Sequence, residues 1–124
     1  MTLHTIDTRH ASEIRALIVR MPALITLNML NDWSAQLLYM LNECAEGEKI
    51  TLLLDMNTHN FESIECLKYL REFLSCNQQI KNIVSRAAFV QPEQYRKPEI
   101  VSSEEAYFSK FEDAYYWIKQ KKLD

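Results

Sequence analysis

The sequence predicts an α/β domain, a mostly parallel sheet of four to five strands with covering helices. Three observations carry that expectation. Apolar runs at residues 14–19, interrupted by Arg15, and at residues 50–54 are too short for helices and read as buried strands, the second buried on both faces. Between and after them, apolar residues recur every three or four positions, as on a helix with one buried face. Strand-like and helix-like segments alternate four times in 124 residues, which implies right-handed crossovers over a parallel sheet.

The first strand is predicted at residues 14–19, with residues 3–6 available to pair beside it. Pro22 cannot donate to a ladder and holds Met21 extended, so residues 21–26 leave the sheet. A helix from Asn28 to about Ala45 carries the stripe Leu30, Trp33, Leu37, Leu41 and Cys44, and Gly47 is placed to stop it. The strand at residues 50–54 ends at Asp55 and a polar turn through Met56, Asn57, Thr58, His59 and Asn60. A second helix is expected from about Phe61 to Ser75, with Asn60 as its N-cap and Ile64, Leu67, Leu70 and Leu74 inward. The third strand spans residues 83–90, where the small Ala87 and Ala88 allow a helix or another backbone to come close. Residues 91–103 are the least regular stretch. Tyr107 and Phe108 read as a short last strand, and Ser109 with Glu112 fits a capping box opening a terminal helix faced by Phe111, Ala114, Tyr115 and Ile118.

Composition excludes several classes. With 48% apolar and 25% charged residues, one glycine and three prolines, one domain is expected, long enough to bury about two-thirds of its unfolded surface without staples. Fourteen Lys plus Arg against 17 Asp plus Glu give a net charge of −3, which argues against nucleic acid as a partner. Residues 1–7 carry neither a basic nor an apolar leader pattern, and no run reaches the length of a membrane span, so a cytoplasmic location is expected. Cys44, Cys66 and Cys76 share no CxxC spacing and read as buried free thiols. Glu62 and Glu65 before Cys66 oppose a thiolate nucleophile. A single glycine cannot build a phosphate-cradling loop, so no nucleotide or other cofactor is expected, and His4, His10 and His59 lack metal-ligand spacing, so no metal is expected.

The strand 50–55 with its loop and helix, the strand ending Ala87-Ala88-Phe89-Val90 before a proline loop, and the closing Tyr107-Phe108 and 111–118 helix together resemble the STAS family. Within it the chain is most similar to SpoIIAA-like, STAS/SEC14-type small bacterial proteins, over nearly its whole length. The resemblance implies a SpoIIAA-like (βα)n arrangement and a non-enzymatic, cytoplasmic regulatory or protein-interaction domain. In the anti-sigma-factor antagonist branch, an Asp-Ser-Ser-Gly stretch at the helix start carries the phosphorylated serine. Here Glu62-Ser63-Ile64-Glu65 stands there, with Ser63 at the first serine, Ile64 at the second and Glu65 at the glycine. Ser63 is therefore the position the resemblance offers for phosphorylation; with Asn60 as N-cap it falls near N3, where the dipole favours phosphate and Glu62 and Glu65 oppose it. The ordinary alternative is a first-turn serine.

Asp55, Asn57, His59, Glu62, Ser63 and Glu65 form the expected partner-contact surface. Asp55 and His59 could meet at a strand's carboxyl end, where open α/β sheets place ligands, but no third ligand or nucleophile accompanies them, so no catalytic set can be named. The alternative function is a carrier or sensor of an apolar or lipid-like ligand. Met21, Met29, Met40 and Met56 with Trp33 and Phe61 would line its pocket, though core filling explains them equally well, and residues 91–103, with Tyr95 and Arg96, would cover it. Tyr115, Tyr116, Trp117 and the lysines after them offer an aromatic and basic patch suited to a membrane interface, against the plain reading of a packed terminal helix. A homodimer through a sheet edge or the terminal helix is compatible with the pattern.

Overall fold

The computed structural model describes residues 7–11, 16–21, 24–45, 49–56, 60–93 and 97–120. Its centre is a set of four parallel strands, β2 (Ala16–Arg20), β4 (Ile50–Asp55), β6 (Val84–Val90) and β8 (Glu105–Phe108). β1 (Asp7–Ala11) and β7 (Glu99–Ile100) flank them antiparallel, giving six described strands in the order β1-β2-β4-β6-β8-β7. The sequence predicted four to five. The additional strand, β7, lies inside the stretch expected to be irregular. The strand beside β2 is residues 7–11, whereas residues 3–6 lie outside the described residues, as do Gly47 and the lysines at 121 and 122.

Side chains alternate across this sheet and build two cores. Leu17, Val19, Leu52, Leu54 and Phe89 face α1 (Leu27–Ala45), α2 (Ile64–Cys76) and α3 (Gln78–Ile83), whose Leu30, Trp33, Leu37, Leu41, Cys66, Leu70 and Ile80 fill that layer. Ala16, Ile18, Leu53, Ala88, Val90 and Ala106 face α4 (Phe111–Lys119), which contributes Ala114, Trp117 and Ile118. β4 is therefore buried along its whole length, which is why its sequence shows a continuous apolar run and not an alternation.

Small residues set how close α4 comes. Ala88 and Ala106 are register partners on β6 and β8, and with Ala114 they are fully buried where helix meets sheet. Arg86 closes the far end of α4. Its guanidinium lies 3.9 Å over the Trp117 ring and donates to the carbonyls of Trp117 (3.3 Å), Gln120 (3.0 Å) and Ser103 (3.0 Å). Two of those carbonyls belong to the last turn of the helix, so Arg86 does the work of a C-cap in a chain with almost no glycine. Burial pushes its guanidinium below the usual arginine value.

Several expected details are corrected. α2 begins at Ile64 and not at Phe61, because Asn60–Phe61 forms β5, paired in parallel with β3 (Leu24–Ile25), and the Glu62 amide donates to the Ile25 carbonyl at 2.8 Å. A backbone engaged in a ladder cannot also enter a helix. Ser63, not Asn60, occupies the N-cap position, and Ile64 points outward at 64% exposure. Residue 83 ends α3, a helix not expected, which starts because Asn77 turns the chain and its side-chain oxygen accepts from the Ile80 amide at 3.1 Å. The capping box at α4 does not form; Lys110 is the N-cap residue and makes no side-chain cap bond. The methionine pocket is filled, with Met21, Met56 and Trp33 in the core and Met40 and Phe61 packed against it. Trp117 is buried against Phe108 and Arg86, so it does not join the exposed Tyr116 in an interfacial patch. Cys66 is a buried free thiol as expected, while Cys76 is exposed.

The two alanines of β6 separate the covered face from the open one. Ala88→Leu is expected to overpack the α4 layer and cost about 1–3 kcal/mol in urea denaturation. Ala87→Leu, on the half-buried opposite face, should change stability by less than about 0.5 kcal/mol.

Candidate functional site

Two regions combine exposed recognition surface with organised chemistry. The first lies at the carboxyl edge of the parallel strands. There each strand's successor amide donates to its neighbour's last carbonyl: Met21 to Asp55 (2.9 Å), Met56 to Val90 (2.8 Å) and Gln91 to Phe108 (2.9 Å). Asp55 ends β4 with its carboxylate nearly buried. It faces its register partner Arg20 at 3.5 Å, Nε to Oδ2. Asn57 and His59 lie outside the described residues. The β3–β5 pair then ties the entry of α1 to the entry of α2. Thr26 caps α1, its hydroxyl accepting from the Met29 amide at 3.2 Å.

Ser63 is half-buried at the start of α2, with Glu62 and Glu65 exposed beside it. Its hydroxyl does not cap the helix; it lies 3.5 Å from the Cys66 thiol. Around this point the protein displays three aliphatic side chains: Leu24 on β3, Leu27 at the start of α1 and Ile64 at the start of α2, at 51%, 39% and 64% exposure. Helical periodicity assigns Ile64 to the core and so hides its part in this surface. The β3–β5 pairing that turns it outward joins segments 36 residues apart and leaves no periodic signal.

The second region is a cleft of about 630 Å³ between α2 and α3 on one side and β6 and β8 on the other. Its floor is Ala87, Phe89 and Tyr107, the two rings stacked 5.2 Å apart. Leu67, Leu70, Leu74 and Ile80 form the helical wall, and Met56 and Gln91 close one end. The side-chain oxygen of Gln91 is buried with no hydrogen-bond partner among the described residues. Arg71 and Lys81 stand exposed on the helical wall, while Glu104 and Glu105 line the strand side, where Tyr107 donates its hydroxyl proton to Glu105. The cleft adjoins the 91–103 segment, yet of the expected lining it shares only Met56. Tyr95 and Arg96 lie outside the described residues. The signal that finds it is the missing helical period between β6 and β8: a crossover with no helical stripe leaves that part of the sheet face bare.

No described group of three or more His, Cys, Asp or Glu could hold a metal ion, and no described helix is long and apolar enough to cross a membrane. No family model matches this chain, and no curated protein does. A similar solved structure is that of an uncharacterized protein of the DUF3478 family from Shewanella loihica PV-4, described as having a SpoIIAA-like fold. The two share 14% identity, with a TM-score of 0.54 and 91% of each chain covered. An α/β domain with a parallel centre and helices on both faces is thus the class. The chain has the SpoIIAA-like fold, the arrangement expected from its resemblance to STAS domains.

The caps of α2 and α3 test this local reading. Asn77→Ala should cost about 1 kcal/mol, since its side chain satisfies the Ile80 amide. Ser63→Ala should fall within about 0.5 kcal/mol of wild type in the same urea titration, because no cap bond is lost.

Proposed function

We propose that this chain is a non-enzymatic regulatory domain that binds a protein partner through the surface where β3, β5 and the start of α2 meet. The observation that carries this reading is the outward display of Leu24, Leu27 and Ile64 on segments fixed to one another by the β3–β5 ladder. Isolated exposed aliphatic residues are ordinary on any protein; three of them held on paired segments form a preorganised contact. Glu62 and Glu65 border it, so the complementary partner surface is apolar with basic groups at its rim. Ser63 lies within this surface, and a charge added there would change both the helix start and the contact. Its position, more than its immediate sequence, supports a regulatory part for this serine.

The test is partner retention from the native host, with quantitative mass spectrometry of what the tagged chain holds. Ile64→Asp and Leu24→Asp are expected to lose the partner at least tenfold, whereas Ile100→Asp, on the edge strand β7, retains it. Equal retention by all three variants overturns this surface as the contact. Ser63→Asp weakening retention while Ser63→Ala preserves it supports a phosphate-type switch, and equal retention by both removes it.

A second reading, a carrier or sensor of a small apolar ligand, is supported by the cleft. Its volume of about 630 Å³ lies inside the range of ordinary small-molecule sites.

A further inference from the structure

The cleft has a direction, and its polar groups are placed along it. Gln91 comes directly after the last residue of β6, and Lys81 precedes its first by three positions, so the two mark opposite ends of a floor seven residues long. At the rise of an extended strand that floor is about 20 Å. Between the ends, the lining toward α2 and α3 is apolar: Leu70, Leu74 and Ile80 against Ala87, Phe89 and the Tyr107 ring. Ala87 matters most here, because a larger side chain at that position would stand where the space now is.

The helical wall carries two cations without a carboxylate partner among the described residues, Arg71 and Lys81. The third basic residue of the lining, Arg86, is committed to three carbonyls and to the Trp117 ring. Glu104 and Glu105 stand on the opposite wall and oppose a second negative charge. At the far end the buried Gln91 side-chain oxygen needs a hydrogen-bond donor that no described residue supplies.

We propose that this cleft binds an amphipathic organic monoanion. Its apolar body lies along Ala87, Phe89 and Tyr107, its negative end meets Arg71 and Lys81, and a hydroxyl or N–H at its other end donates to Gln91. The inference rests on the ligand-carrier reading and adds to it the charge, the polarity and the orientation of the ligand. Charge-assisted hydrogen bonds from the helical wall select the anion, while the orphan acceptor selects the donor end.

Three probes of equal chain length test it in two-dimensional amide NMR titrations of the full chain: decanoate, 10-hydroxydecanoate and 1-decanol. The expected order is 10-hydroxydecanoate tightest, decanoate about threefold weaker and 1-decanol about tenfold weaker again, with shifts centred on Ala87, Phe89 and Tyr107. The double substitution Arg71→Gln with Lys81→Gln changes only exposed residues, and should abolish the preference for decanoate over decanol. Gln91→Met should abolish the preference for the hydroxylated acid while leaving decanoate binding in place. If all three probes bind equally at the cleft, the assignment of charge and orientation is overturned and the carrier reading stands. If none shifts the cleft amides, both fall.

Discussion

Every strand at the centre of this sheet has two faces to bury, and the described helices are shared unevenly between the two sides. Three of them pack on one face, against β2, β4 and part of β6, and one, α4, covers the other face from β2 to β8. The crossover from β6 to β8 holds the edge strand β7 and, among its described residues, no helix. That shortage shapes both halves of the sheet. β4 sits in the middle with all six residues buried, whereas Ala87 and Tyr107 on the sparsely covered part are only half-buried and form the floor of the cleft. The cleft is thus the place where the helical layer ends.

The same constraint explains the alanines. A single helix over β6 and β8 must lie close to hold both, and Ala88, Ala106 and Ala114 remove the side-chain volume that would keep it away. Arg86 then fixes the helix end through three carbonyl bonds and a cation–ring contact, a fastening made by a side chain from the sheet itself. Because Ala87 and Ala88 are adjacent on a strand, one alanine serves the packed face and the other opens the cleft. Two neighbouring residues of the same type therefore act through opposite requirements, close contact on one side and vacant volume on the other.

At the carboxyl edge, backbone pairing and not side-chain pattern decides what is displayed. The β3–β5 ladder engages residues 60 and 61 and delays α2 to Ile64, which is exposed, as are Leu24 on β3 and Leu27 at the start of α1. α2 belongs to both regions. Its start carries Ser63, Ile64 and Glu65, while Leu67, Leu70 and Leu74 one to three turns later wall the cleft. The SpoIIAA-like fold itself leaves function open, since a fold of this kind positions sites without specifying them.

Local pattern was enough to establish the class of fold, the buried centre at residues 50–55, the long helix ending at Ala45 and the terminal aromatic strand and helix. These are readable because continuous apolar runs and helical stripes report burial directly. Pattern also marked Asp55 and Ser63, but it left out the pairing of Asp55 with Arg20 and put Ser63 at N3 in place of the N-cap. Only the folded chain sets the two-residue ladder that delays α2, the orientation of Ile64, the fastening of α4 by Arg86 and the position of the cleft away from most of the methionines. The ladder and the fastening join residues 17 to 36 apart. A local pattern has no means of recording a hydrogen bond made to a distant strand, or a sheet face that the helical layer does not reach.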